Sequence, residues 1–155
     1  MADLRIKVAK DKAKIVKALR AGENSTGLFQ TYYEVIVFAA ALGISRNKFV
    51  PIRNGEFSKD IDPIRQEQFA SKGYDQIIDL LAVTHSKDPK VLSSIEEFEE
   101  KKVSIFEAYA NGGLELLQDL LRGVDNHSQQ LLLLLATERE DSRKAPENLF
   151  DLSFL

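Results

Sequence analysis

The sequence predicts a mostly α-helical fold: a single-domain, compact bundle of six to seven helices around a buried central helix, with minor extended segments at most. Three observations predict it. The run 31–42 (TYYEVIVFAAAL) is apolar on all sides beyond its first turn, as in a helix covered over most of its surface. Tyr74, Ile77, Ile78, Leu81, Ala82 and His85 recur at helical spacing. Glycine, proline and Asn/Asp clusters punctuate the chain at helix-length intervals. With 155 residues, 44% of them hydrophobic and 29% charged, the chain suits one soluble domain with a real core.

Each element has a local reason. Leu4, Ile6 and Val8 alternate with Arg5 and Lys7, the period of a short strand or extended arm. Asp11 is placed to cap a helix over 12–21 that stops at Gly22 and packs Ala13, Val16 and Leu19. Residues 23–27 read as a loop. Thr31 and Glu34 have capping-box spacing at the head of the central helix, 32–42, with Gly43 its expected stop. Residues 44–60 read as irregular, with Asn54-Gly55 a turn. Asp62-Pro63 reads as N-cap and N1 of a short helix to Lys72. Gly73 separates this from the helix of the Tyr74–His85 stripe, which Lys87-Asp88-Pro89 ends.

Ser94-Ile95-Glu96-Glu97 offers a second capping box for the longest helix, 95–111, with Asn111-Gly112-Gly113 as its stop. Two leucine-rich helices, 114–122 and 128–138, follow. Five consecutive leucines, Leu131 to Leu135, exceed one face of a surface helix and predict burial on two sides. The organisation expected is a helical domain over 1–138, then a polar linker and an apolar tail over 139–155. The tail carries Leu149, Phe150, Leu152 and Phe154, a partner-binding candidate that is expected to dock on its own domain or on a second copy.

Composition excludes several chemistries. The chain has no cysteine, hence no disulfide, thiolate ligand or thiol nucleophile. No segment is apolar enough over about 18 residues to span a bilayer, so no membrane association is expected. The N-terminal residues lack a signal peptide's apolar core, which predicts a cytoplasmic protein. The two histidines, His85 and His127, stand in no metal-ligand spacing. No nucleophile elbow or phosphate-binding loop occurs, so no catalytic residue, metal or cofactor is predicted. His85 lies at the end of a helix, where the dipole favours a protonated imidazole.

Charge is the better lead. Residues 1–53 carry 10 basic against 4 acidic side chains, a net +6, and residues 54–155 carry 11 against 20, a net −9. Lys10, Lys14 and Lys17 fall on one side of a helical wheel, with Arg20 beside them, and Arg46, Lys48 and Arg53 add basic charge nearby in sequence. Such a ridge suits salt-sensitive, sequence-independent contact with DNA phosphates. The bland alternative is a solvated face, or one that pairs with the chain's own acidic part.

Taken in order, the segments 31–42, Asp62-Pro63-Ile64-Arg65-Gln66-Glu67, Gly73-Tyr74-Asp75, Leu80-Leu81-Ala82, Lys87-Asp88-Pro89 and 106–114 (FEAYANGGL) resemble the Dnd-system-associated proteins of the fourth class, small proteins associated with DNA phosphorothioation. The resemblance covers about residues 1–125. It implies a bacterial accessory protein encoded beside enzymes that place sulfur in the DNA backbone, with other Dnd-system proteins as partners, serving the restriction or regulatory side of this modification and restriction system. It brings no catalytic residues. Two functions follow as expectations: a non-enzymatic accessory protein acting through protein contacts and DNA backbone, or a homodimeric adaptor without DNA contact.

Overall fold

The computed structural model describes residues 4–22, 25–26 and 28–144, and among them six α-helices and two short β-ladders form the fold. The N-terminal alternation becomes β1 (Arg5–Ile6), and Ile6 and Val8 are buried. A 3-10 turn, Lys10–Lys12, leads into α1 (Ala13–Leu19), which buries Ala13, Ile15, Val16 and Leu19. Asp11 does not cap this helix; its carboxylate pairs with the buried Lys12 ammonium at 3.0 Å. The helix ends three residues before Gly22, because Arg20 turns extended and the chain enters the hairpin β2 (Ala21–Gly22) and β3 (Ser25–Thr26).

The central helix, α2 (Tyr32–Ser45), starts where the sequence places it. Thr31 Oγ1 accepts from the Glu34 amide at 3.3 Å, and Glu34 reaches back to accept from the Gln30 amide at 3.1 Å. Val35, Ile36, Ala39 and Ala40 are almost fully buried. Gly43 does not stop α2 but lies inside it.

Asp62-Pro63 opens no helix. Ile64–Arg65 instead forms β4, antiparallel to β1, with Arg5 opposite Arg65 and Ile6 opposite Ile64. Burying Ile6 against Ile64 in a ladder outweighs the local capping signal, and only Gln66–Ala70 is helical (α3). The ladder is extended by the Gln66 amide donating to Leu4 O, and a separate bridge between Ala9 and Phe57 brings the Ser58 amide to Val8 O. Gly73, at φ +79°, turns the chain into α4 (Asp75–Ser86). Lys87 in the left-handed region closes α4, and Asp88 caps a 3-10 turn, Pro89–Leu92.

The largest departure from the sequence pattern is α5, a single helix from Glu96 to Leu121. Its N-cap is Ile95 without side-chain capping, so the Ser94 capping box does not form. Asn111-Gly112-Gly113 is the middle of α5 rather than its end, and the two helices expected on either side are one. The cause is tertiary. A Cβ on Gly113 would stand 1.7 Å from Ala39 O of α2, one on Gly112 2.0 Å from Lys48 O, and one on Gly43 2.1 Å from Tyr109 O. These three glycines let α2, α5 and the loop after α2 touch backbone to backbone, and α2 against α5 is the most extensive packing in the fold. Asn111, buried beside them, donates from Nδ2 to Val50 O at 2.9 Å and ties the same loop down.

Gly123 (φ +73°) ends the turn after α5. Asn126 Oδ1 accepts from the Gln129 amide at 3.1 Å and caps α6 (His127–Lys144), which runs beyond the expected end at 138. Of the five leucines only Leu131 is fully buried. Leu132, Leu133 and Leu135 are 61%, 56% and 43% exposed, so this helix packs the described residues on one side alone. No helix of the described residues is long and apolar enough to cross a membrane.

Candidate nucleic-acid interface

The separated +6 and −9 partly close on each other when the chain folds. Arg46 pairs with Glu138 of α6, Lys48 lies 3.6 Å from Glu115 of α5, and Lys17 lies 3.8 Å from Asp60. Each pair joins the basic N-terminal section to the acidic remainder. The Lys17–Asp60 pair is solvent-exposed and contributes little to stability, so Asp60→Asn is expected to cost less than about 1 kcal/mol in urea denaturation.

The remaining basic candidates stay on the surface. Lys10 is exposed in the 3-10 turn rather than in the helix, Lys14 and Lys17 are exposed on α1, and Arg53 is exposed in the loop after α2. Arg20, just past the end of α1, lays its guanidinium over the Tyr32 ring at 4.4 Å. The tail candidates Leu149, Phe150, Leu152 and Phe154 lie outside the described residues.

Folding adds two arginines that sequence reasoning missed. Arg5, Arg20 and Arg65 line one open groove of about 480 Å3, together with Tyr32, Tyr33 and the aspartates Asp60 and Asp62. Four chain segments supply these side chains: the paired strands β1 and β4 give Arg5 and Arg65, the residue after α1 is Arg20, and the first turn of α2 gives the tyrosines. Because Lys17 reaches Asp60, this lysine of α1 borders the groove. The start of α2 adds little to this attraction, because Thr31 Oγ1 takes the Glu34 amide and the Glu34 carboxylate lies at the same end of the helix. The signal available in sequence was only the polar phase of Leu4-Arg5-Ile6; its pairing with Arg65 is non-local.

Two other polar clusters are distinct from this groove. His85 Nδ1 lies 2.8 Å from the Tyr109 hydroxyl, and Phe49 stacks on the imidazole at 4.5 Å. Partial burial, with a smaller contribution from Lys101, pulls the His85 pKa down, and burial pushes the Tyr109 hydroxyl up. The two groups share one hydrogen bond between Nδ1 and the phenol oxygen. The helix dipole therefore does not decide the protonation of His85, contrary to its position in sequence. The second cluster is Glu107, whose carboxylate accepts from the Lys7 amide at 2.6 Å beside a small void shared with Asn111. Burial pushes its pKa up to about 7, against the lowering effect of the Lys7 amide and charge.

An apolar recess of about 200 Å3 lies between α2 and α6, lined by Phe38, Leu42, Leu134 and Leu135. Among the described residues no group of acidic and histidine side chains is arranged to hold a metal ion.

Compared with known proteins, the chain matches over residues 5–155 the model of a family described as DNA sulphur modification system-associated protein 4. No curated protein and no solved structure matches it.

Proposed function

Because the chain belongs to the family of DNA sulphur modification system-associated protein 4, we propose that it is a non-enzymatic, cytoplasmic accessory protein of that system, acting on its partner proteins and on the DNA backbone. One observation supports the DNA part: Arg5, Arg20 and Arg65 line one groove that Lys17 of α1 borders through Asp60. Arginine forks suit phosphate oxygens, and contacts of this kind position a protein on DNA without reading its sequence. Lys10, Lys14, Lys17 and Arg20 form the outer part of the surface. Arg46 and Lys48, held by Glu138 and Glu115, contribute less, and Arg53 stands at its margin.

Charge reversal at Lys10, Lys14 and Lys17 tests the reading. Measured by fluorescence anisotropy at low salt, the triple variant is expected to lose more than about tenfold in DNA affinity, because neutralised phosphates release counterions. Unchanged affinity counts against this surface.

A second reading, a homodimeric adaptor without DNA contact, is favoured by the exposed Leu132, Leu133 and Leu135 of α6, an apolar face larger than a lone surface leucine explains. The tail residues Leu149, Phe150, Leu152 and Phe154 belong to the same reading. Light scattering on Leu132→Lys/Leu133→Glu decides it: loss of a dimer supports the adaptor, and a monomer in both proteins opposes it.

A further inference from the structure

We propose that the chain's own segment 150–154 (FDLSF) packs into the apolar recess between α2 and α6, laying Phe150, Leu152 and Phe154 against Phe38, Leu42 and Leu135. The inference is independent of the DNA-backbone reading, and it gives the recess an occupant other than a second copy.

Three features carry it. First, two helices leave apolar surface open to the same space. Most of the apolar run of α2 is buried, yet Ala41 is exposed and Phe38 only half-buried, and both line the recess with Leu42. A helix apolar on all sides calls for cover on all sides, and the described residues leave this strip of α2 open. From the other side α6 contributes Leu134 and Leu135, and the exposed Leu132 lies one turn earlier on the same flank. Second, the recess of about 200 Å3 is smaller than the site of a drug-sized ligand, which suits the side chains of a passing segment rather than a helix. Third, Phe150, Leu152 and Phe154 alternate with Asp151 and Ser153, so in an extended chain the apolar side chains share one face and the polar ones the other.

The length of chain between helix and segment is sufficient. α6 ends at Lys144, and Glu138, which also lines the recess, lies about 9 Å back along the helix. Residues 145–149 span up to about 16 Å when extended, and Pro146 disfavours helix at Ala145, so Phe150 can return to the recess. A second copy of the chain offers the same segment, yet the tether decides between them. On so short a linker the segment meets its own recess at a millimolar effective concentration, roughly a thousandfold above that of a second copy at about 1 μM.

Because the chain has no cysteine, an introduced pair reports this contact alone. Ala41→Cys is combined in turn with Phe150→Cys, Leu152→Cys or Phe154→Cys, and each full-length protein is oxidised at about 1 μM and run on a non-reducing gel. Circular dichroism before oxidation checks that each variant folds. At least one pair is expected to close as a monomer, and to do so at least about tenfold more slowly when the other two apolar residues of the segment are changed to serine. A disulfide-linked dimer assigns the recess to a second copy and overturns the assignment. Absence of a disulfide from all three pairs overturns it too. So does a closed monomer whose rate ignores the serines, because chance collision of a tethered segment needs no apolar contact.

Discussion

Replacing Gly113 by alanine is expected to destabilise the protein by at least about 4 kcal/mol, or to prevent folding, even though the same change in an isolated helix stabilises it by about 1 kcal/mol. The sign reverses because the new methyl would have to stand 1.7 Å from Ala39 O, a backbone atom of the buried central helix. Relief would require α2 and α5 to move apart along the most extensive contact in the fold, opening gaps next to Val35, Ile36 and Phe106. Gly112→Ala meets Lys48 O at 2.0 Å and is expected to act in the same direction, with a smaller loss because the obstructing segment is a loop. Ser104→Ala, on the exposed side of α5, serves as the control and is expected to change stability by less than about 0.5 kcal/mol. Urea denaturation followed by circular dichroism separates these outcomes. A stabilised Gly113→Ala would mean that the two helices do not cross at this glycine.

Glu107→Gln is expected to stabilise the protein above neutral pH and to leave it unchanged in mild acid. Burial raises the folded-state pKa to about 7 from an ordinary 4.5, so the native state holds a proton that the unfolded chain has already released. A group raised in this way contributes its full stability below the unfolded value and loses it as pH rises through the folded one. Above pH 7 the wild type must bury a carboxylate; a glutamine stays neutral and can still accept from the Lys7 amide. The variant's advantage therefore grows between about pH 4.5 and 7 and levels off near 3 kcal/mol at most, a Tm gain of several degrees for a chain of this length. Thermal melts of both proteins at pH 5 and pH 8 test it. The same difference at both pH values would contradict it.

Much of the architecture was legible from local patterns. Thr31 with Glu34 caps α2 as the spacing requires, the apolar run behind it is buried, and α4 follows its stripe from Ile77 to His85. The two largest failures share one cause, a non-local partner. Asn111-Gly112-Gly113 has the composition of a helix stop, and it continues as helix because Ala39 and Lys48 press their carbonyls against the place where side chains would be. Asp62-Pro63 has the composition of a helix start, and the chain instead extends because Ile64 pairs with Ile6. The candidate site was half legible for the same reason. Lys14, Lys17 and Arg20 are neighbours along the chain, whereas Arg5 and Arg65 meet only through that ladder. The pairing of the basic section with the chain's own acidic part, which the charge split allows, is realised where Asp60, Glu115 and Glu138 face Lys17, Lys48 and Arg46.

Contact between the arginine groove and DNA phosphate is tested most directly by the salt dependence of oligothymidylate binding in the wild type and in Arg65→Gln. The wild type is predicted to give a straight line of log affinity against log salt that falls by about 0.7 for each single-strand phosphate contacted. Arg65→Gln is predicted to be weaker at every salt concentration and shallower by about one such contact. Superimposable lines for the two proteins, or an affinity indifferent to salt, would contradict the account.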